Sequence, residues 1–278
     1  MKKILIPFLL GLCLLGVNPL FAQEVLDGVY IKEHTPTRKP IPYTHLRNAD
    51  VMWSKRIWRE IDLRQKINHP FYLPDEPISG RKSLFDVIKE GIKEGTITAY
   101  NGPADDEFSV PLTKDDAEKM FSRLDTQYVD NPETGEMEMK VVAENLSSSD
   151  IKKYRLKEEW FFDKQKSVLE VRIIGMQLIK IKKDENGNFR SYEGLFWIYY
   201  PQARYVFAMA EVFNRSNDAE RLTYEDLFWK RMFGSYIYKE SNVYNRLIID
   251  YTKGMEAQLE AERIKEEIFN YEHDLWHY

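Results

Sequence analysis

The chain has 278 residues, with 40 Lys and Arg against 45 Asp and Glu, a net charge of −5. That length supports a sizeable core, and that charge excludes general nucleic-acid binding, which needs a basic footprint. A single cysteine, Cys13, excludes a disulfide framework within one chain.

The chain opens on Lys2-Lys3, an apolar run from Ile4 to Leu20, and Phe21-Ala22-Gln23, the layout of a cleaved secretory signal peptide over residues 1–22. Pro7, Gly11, Gly16 and Pro19 interrupt the run and no stop-transfer charge falls within it, which disfavours a retained anchor. Cys13 is preceded by Leu12 and followed by more apolar residues, which speaks against lipidation. Cleavage removes Cys13, Lys2 and Lys3, leaving 38 basic residues against 45 acidic ones, a net −7. The expected product is exported, free of cysteine, and held together by its core.

Residues 23–48 carry Pro36, Pro40 and Pro42 and are expected as an extended arm. The arm reads either as a loose terminus or, through Ile41, Tyr43 and Leu46, as a segment draped over a neighbour. Asp50 to Tyr72, DVMWSKRIWREIDLRQKINHPFY, is the densest mixture of tryptophan and basic residues in the chain. Trp53, Ile57 and Ile61 recur at i, i+4 and i+8 with Ile67 nearby, predicting an amphipathic helix capped by Asn48 or Asp50 and stopped before Pro70. Its opposite face would carry Lys55, Arg59, Asp62 and Lys66, a cationic surface in an acidic chain. Lys55, Arg59 and Lys66 are therefore candidate partner-binding residues, against the plainer reading of a solvated face or one neutralised by the protein's own acids.

Ser83 is placed to cap a second helix with Leu84, Phe85, Ile88 and Ile92 inward and Gly95 at its end. Thr96 to Tyr100 reads as a short strand, and Thr113 with Asp116 opens a third helix running to Leu124. NPETGE at 131–136 and NLSSSD at 145–150 suggest a boundary, with MEMKVVA between them as an edge strand. Residues 154–213 predict an antiparallel meander, with an Asn-Gly turn at 184–188 and an aromatic strand at 195–200 stopped by Pro201. Residues 204–213 fit a strand or a short helix equally. Thr223 with Asp226 opens a helix expected to reach Lys239. DVMWSKRIW at 50–58 and DLFWKRMF at 226–233 align with one gap, a weak sign of a repeated unit. After Gly254, Leu259, Ile264, Ile268, Tyr271 and Leu275 form the apolar stripe of a charged terminal helix, either docked on its own domain or offered to a partner's groove. On the second reading, removing 255–278 spares folding and weakens a partner contact.

The fold class is thus α+β: a helical N-terminal half with a short strand (49–145), an antiparallel sheet plus helix (146–253), and an amphipathic C-terminal helix (254–278).

Motifs for chemistry are absent: no G-x-S-x-G, no phosphate-binding glycine loop, no H-E-x-x-H. His273 and His277 lie one helical turn apart but lack a third ligand, and Asp184 to Asn188 departs from a calcium loop in the place of its glycine. No catalytic, metal-ligating or cofactor-binding residue is assigned, and no cofactor is implied. The aromatic content of 14% and the many carboxylates keep a periplasmic carbohydrate-binding protein or glycoside hydrolase as the alternative.

Five strings, DVMWSKRIWREIDLRQKINHPFY, RKSLFDVIKEGIKEGTITAY, LKEEWFFDKQKSVLEVRIIG, LFWIYYPQAR and AEVFNRSNDAERLTYEDLFWKRMFGSYIYKESNVYNRLI, resemble the GldN/PorN family. The resemblance runs from Ile41 to about Tyr251. It implies a non-enzymatic component of the type IX secretion and gliding-motility machinery, periplasmic and peripheral to the inner side of the outer membrane. It further implies a ring built with the outer-membrane lipoprotein GldK/PorK, and contact with the periplasmic region of GldM/PorM.

Overall fold

A computed structural model describes residues 37–78, 80–101, 106–130, 137–183, 189–215, 217 and 219–275. The leader with Cys13, the start of the arm, the turns at 131–136 and 184–188, and His277 lie outside the described residues.

The main correction to the sequence reading concerns Asp50 to Tyr72. Residues Val51–Asp62 form strand β1, not a helix, and Lys66–Phe71 form a 3₁₀ turn. A spacing of four is a multiple of two, so Trp53, Ile57 and Ile61 share a strand face as readily as a helix face. Two tryptophans and two isoleucines within nine positions then favour the pleated surface. The same alternation puts Lys55 and Arg59 on the face of Trp53, Ile57 and Ile61 rather than opposite them.

Next come helix α1 (Leu84–Glu94), strand β2 (Ala99–Tyr100), helix α2 (Lys114–Met120) and a ribbon of β3 (Ser122–Asp130) and β4 (Met137–Asn145). The chain continues through β5 (Ile151–Asp163), β6 (Val168–Lys183), β7 (Phe189–Tyr199), α3 (Tyr200–Met209), β8 (Glu211–Val212) and β9 (Leu222–Thr223). It ends with α4 (Tyr224–Trp229), β10 (Tyr236–Glu240), α5 (Ile248–Tyr251) and α6 (Met255–Asp274). The class is α+β, as expected. The six-stranded sheet has the order β10-β1-β5-β6-β7-β2, antiparallel throughout, so segments 49–145 and 146–253 share one sheet.

Local capping signals hold. The Ser83 and Thr113 side chains accept from the Asp86 and Asp116 backbone N–H groups, Thr223 and Asp226 form a capping box, and Gly95 closes α1 at φ 79°. Lengths are less faithful. Leu124 belongs to β3, not to the third helix, and α4 stops at Trp229 because Arg231 takes φ 52° and the chain turns to pair β10 with β1. The two DxxW strings therefore form a strand and a helix, and are not copies of one structural unit. Residues 204–209 prove helical, with Pro201 in the first turn.

Trp53, Lys55, Ile57, Arg59 and Ile61 face the same way as their β5 partners Phe162, Trp160, Glu158, Leu156 and Tyr154. The main core gathers on one part of this face, where Ile61, Tyr154 and Leu156 meet α1, α3 and α4 with Phe71, Phe207 and Phe228. A second, smaller cluster of Ile57, Ile237, Ile248, Ala261, Ile264 and Ile268 lies under α6.

Candidate interaction site

The tail helix docks on its own fold. Ile264 and Ile268 are buried against Ile57, Ile237 and Ile248, and Tyr271 stacks on Trp53 with ring centroids 4.6 Å apart. Leu275 is half-buried just past the helix end. Leu259 is 64% exposed, because at 100° per residue it stands about 140° from Ile264. It belongs with Met255 and Phe269 on the outer face.

The expected cationic surface is largely engaged within the chain. Lys55 pairs with Glu240 at 2.7 Å and with Glu267 of α6 at 3.5 Å. Arg59 donates to the Ser235 hydroxyl at 2.9 Å, and its burial pulls the guanidinium below its ordinary value. Lys66, on the 3₁₀ turn, remains exposed.

Across the sheet from these residues, β1 and β5 bring buried charges together. Glu60 accepts from Lys153 at 2.5 Å, from Arg155 at 3.0 Å, and from the Tyr236 hydroxyl. Burial alone would raise the Glu60 carboxyl, but the bonds from Lys153 and Tyr236 and the two positive charges hold it below the usual range. The Tyr236 phenol is pushed up to about 12 by its burial and by that carboxylate. Trp58 donates to the Asp106 carboxylate at 2.5 Å, and the Lys157 ammonium lies over the Trp58 ring at 5.7 Å. Burial pulls the Lys157 ammonium down.

The N-terminal arm lies in a slot of α3, α4 and the β5–β6 turn. Tyr43 is its anchor: its ring stacks on Trp229 at 5.8 Å and carries the Arg204 guanidinium at 3.9 Å and that of Arg172 at 4.8 Å. Arg204 also donates to the Ile41 carbonyl at 2.7 Å and to Glu225 at 2.6 Å. Arg172 donates to the Thr44 carbonyl at 2.9 Å, Lys166 to the Thr44 hydroxyl at 2.9 Å, and Arg38 pairs with Asp226 at 2.9 Å. Burial raises the Glu225 carboxyl even though Arg204 and the Tyr200 hydroxyl draw it down. Of the arm's expected apolar contacts, Tyr43 makes the anchor, while Ile41 is 64% exposed and contributes its carbonyl. Sequence reading passed over Arg204 and Glu225. The one local hint was a lone charge, Arg204, within the largely apolar YPQARYVF, ambiguous until α3 set which side faced the core.

The buried carboxylates Glu60, Glu158 and Glu225 are each held by basic side chains of the same chain, Glu158 by Arg231 at 2.9 Å. Among the described residues, no three His, Cys, Asp or Glu side chains converge to hold a metal ion, and no helix is long and apolar enough to cross a membrane. The arrangement presents an aromatic and arginine slot that holds extended peptide, and three exposed apolar side chains on α6, Met255, Leu259 and Phe269.

The family model described as gliding motility associated protein GldN matches residues 46–277. None of the curated proteins matches the chain.

Proposed function

The chain belongs to the GldN family of gliding-motility-associated proteins, and from that premise we propose that it is a non-enzymatic structural subunit of a ring in the type IX secretion machinery. In this reading the signal peptide delivers it to the periplasm. There it stands at the inner side of the outer membrane, beside the lipoprotein GldK/PorK and the periplasmic region of GldM/PorM. The observation that carries the reading is the extent of the family match, which takes in both hydrophobic clusters, the sheet and the tail helix. Two features support it. The buried glutamates are neutralised inside the fold rather than presented in a cleft, and the apolar side chains of Trp229, Met232, Leu259 and Phe269 lie at the surface, where a subunit contact would use them.

The test is co-purification of the mature chain with the lipoprotein, followed by light scattering and electron microscopy. A ring-sized co-complex is expected; recovery of the chain as a monomer with no lipoprotein bound overturns the reading. Removing the chain from cells should abolish both gliding and secretion, and cells that secrete normally without it would sever the link to transport.

A further inference from the structure

We propose that the slot around Tyr43 is an arm-exchange site, in which neighbouring copies of this chain trade residues 38–44. The inference rests on the ring reading and names the contact between adjacent subunits.

The slot has the build of a peptide site. The body supplies Arg204, Arg172, Lys166, Asp226 and Trp229, and the arm supplies two main-chain carbonyls, one hydroxyl, one guanidinium and the Tyr43 ring. None of these contacts depends on which copy provides the arm, so exchange conserves them all, the usual low-cost route to subunit association. Pro40 and Pro42 hold the segment extended, so little conformational freedom is lost when it binds. The arm joins β1 through a 3₁₀ turn, Asn48–Asp50, that buries no residue, closes on its own backbone bonds and the Arg47–Asp50 pair, and is tied to the body by Lys164 and Gln165 bonding to Asp50. No residue of that junction belongs to either hydrophobic cluster.

A free arm faces an effective concentration in the millimolar range for its own slot. Exchange therefore belongs to the assembled state of the ring reading, in which copies stand side by side. The side chains Arg204 and Glu225 are at most 9% exposed, so the slot is a rigid receptor, while Trp229 at 49% is its open wall.

The mature chain has no native cysteine if the leader is removed as expected, which makes the test clean. Two full-length versions, Thr44→Cys and Lys166→Cys, are co-expressed in cells with the lipoprotein, treated with a short bis-maleimide, and run on a denaturing gel. Exchange predicts a covalent dimer joining one copy of each version. Adding Tyr43→Ala to the Thr44→Cys chain, or Trp229→Ala to the Lys166→Cys chain, should cut that dimer by about thirtyfold, the loss of one interface anchor. Both single-cysteine chains lose the surface bond between Lys166 and Thr44 but keep the Tyr43 anchor, and a cooperative melt checks that each folds. Absence of the mixed dimer while rings still form overturns arm exchange and leaves the ring reading intact. A mixed dimer formed without ring-sized complexes overturns the ring reading and leaves exchange standing.

Discussion

Replacing Ile264 by alanine should destabilise the protein by ~3 kcal/mol, while the same change at Leu259, on the same helix, should cost less than ~0.5 kcal/mol. Ile264 is fully buried and meets Ile57, Ile237, Ile248 and Ile268. Three carbons leave the core, worth ~2.4 kcal/mol of transfer free energy at ~0.8 kcal/mol each. A cavity cost adds to this, but only partly, because the cluster is flanked by half-buried Trp53, Trp160 and Leu169 that can settle inward. In a chain of this length, ~3 kcal/mol lowers the melting temperature by ~6–12 °C. Thermal melts by circular dichroism, with urea unfolding to check that the m-value is unchanged, measure both variants. Equal losses at Ile264 and Leu259, or no loss at either, would refute the docking of α6. The same reasoning reverses the expectation that 255–278 can be removed without harm: truncation uncovers Ile57, Ile237 and Ile248 and should cost several times the Ile264→Ala loss.

Glu60 and Glu225 should give stability–pH dependences of opposite sign, seen in urea titrations of Glu60→Gln and Glu225→Gln against the wild type. The Glu60 carboxyl is lowered from 4.5 in the fold, so its stabilisation is present above that value and lost as pH falls through the folded one; parallel wild-type and Glu60→Gln curves would contradict this. The Glu225 carboxyl is raised, so its stabilising share is full below 4.5 and lost as pH rises through the folded value; Glu225→Gln should gain on the wild type over that window. A double-mutant cycle of Trp53→Ala and Tyr271→Ala should show ~0.5–1.5 kcal/mol of coupling, and strict additivity would deny the stack. Ser83→Ala should cost ~1 kcal/mol through the lost cap of α1, and a neutral result would place the helix start elsewhere.

The residues around Asp50 to Tyr72 mark where sequence reasoning ends. Features carried by a few neighbouring residues were legible before any fold was known: the caps at Ser83, Thr113 and Thr223 and the left-handed close at Gly95. These depend on backbone geometry within three or four positions, and the sequence states that geometry directly. The identity of β1 was not legible, because residues spaced by four satisfy both the helical period and the strand period. Pairing with β5 along its length and with β10 on the other edge decided the matter. That pairing turned Lys55 and Arg59 from an outer face into inward partners of Glu240, Glu267 and Ser235. Composition along the chain determined that this protein has charged tryptophan-rich segments and a charged terminal helix. Only the tertiary structure decided which of those charges meet one another and which face water, since burial and ion pairing depend on strands and helices distant in sequence.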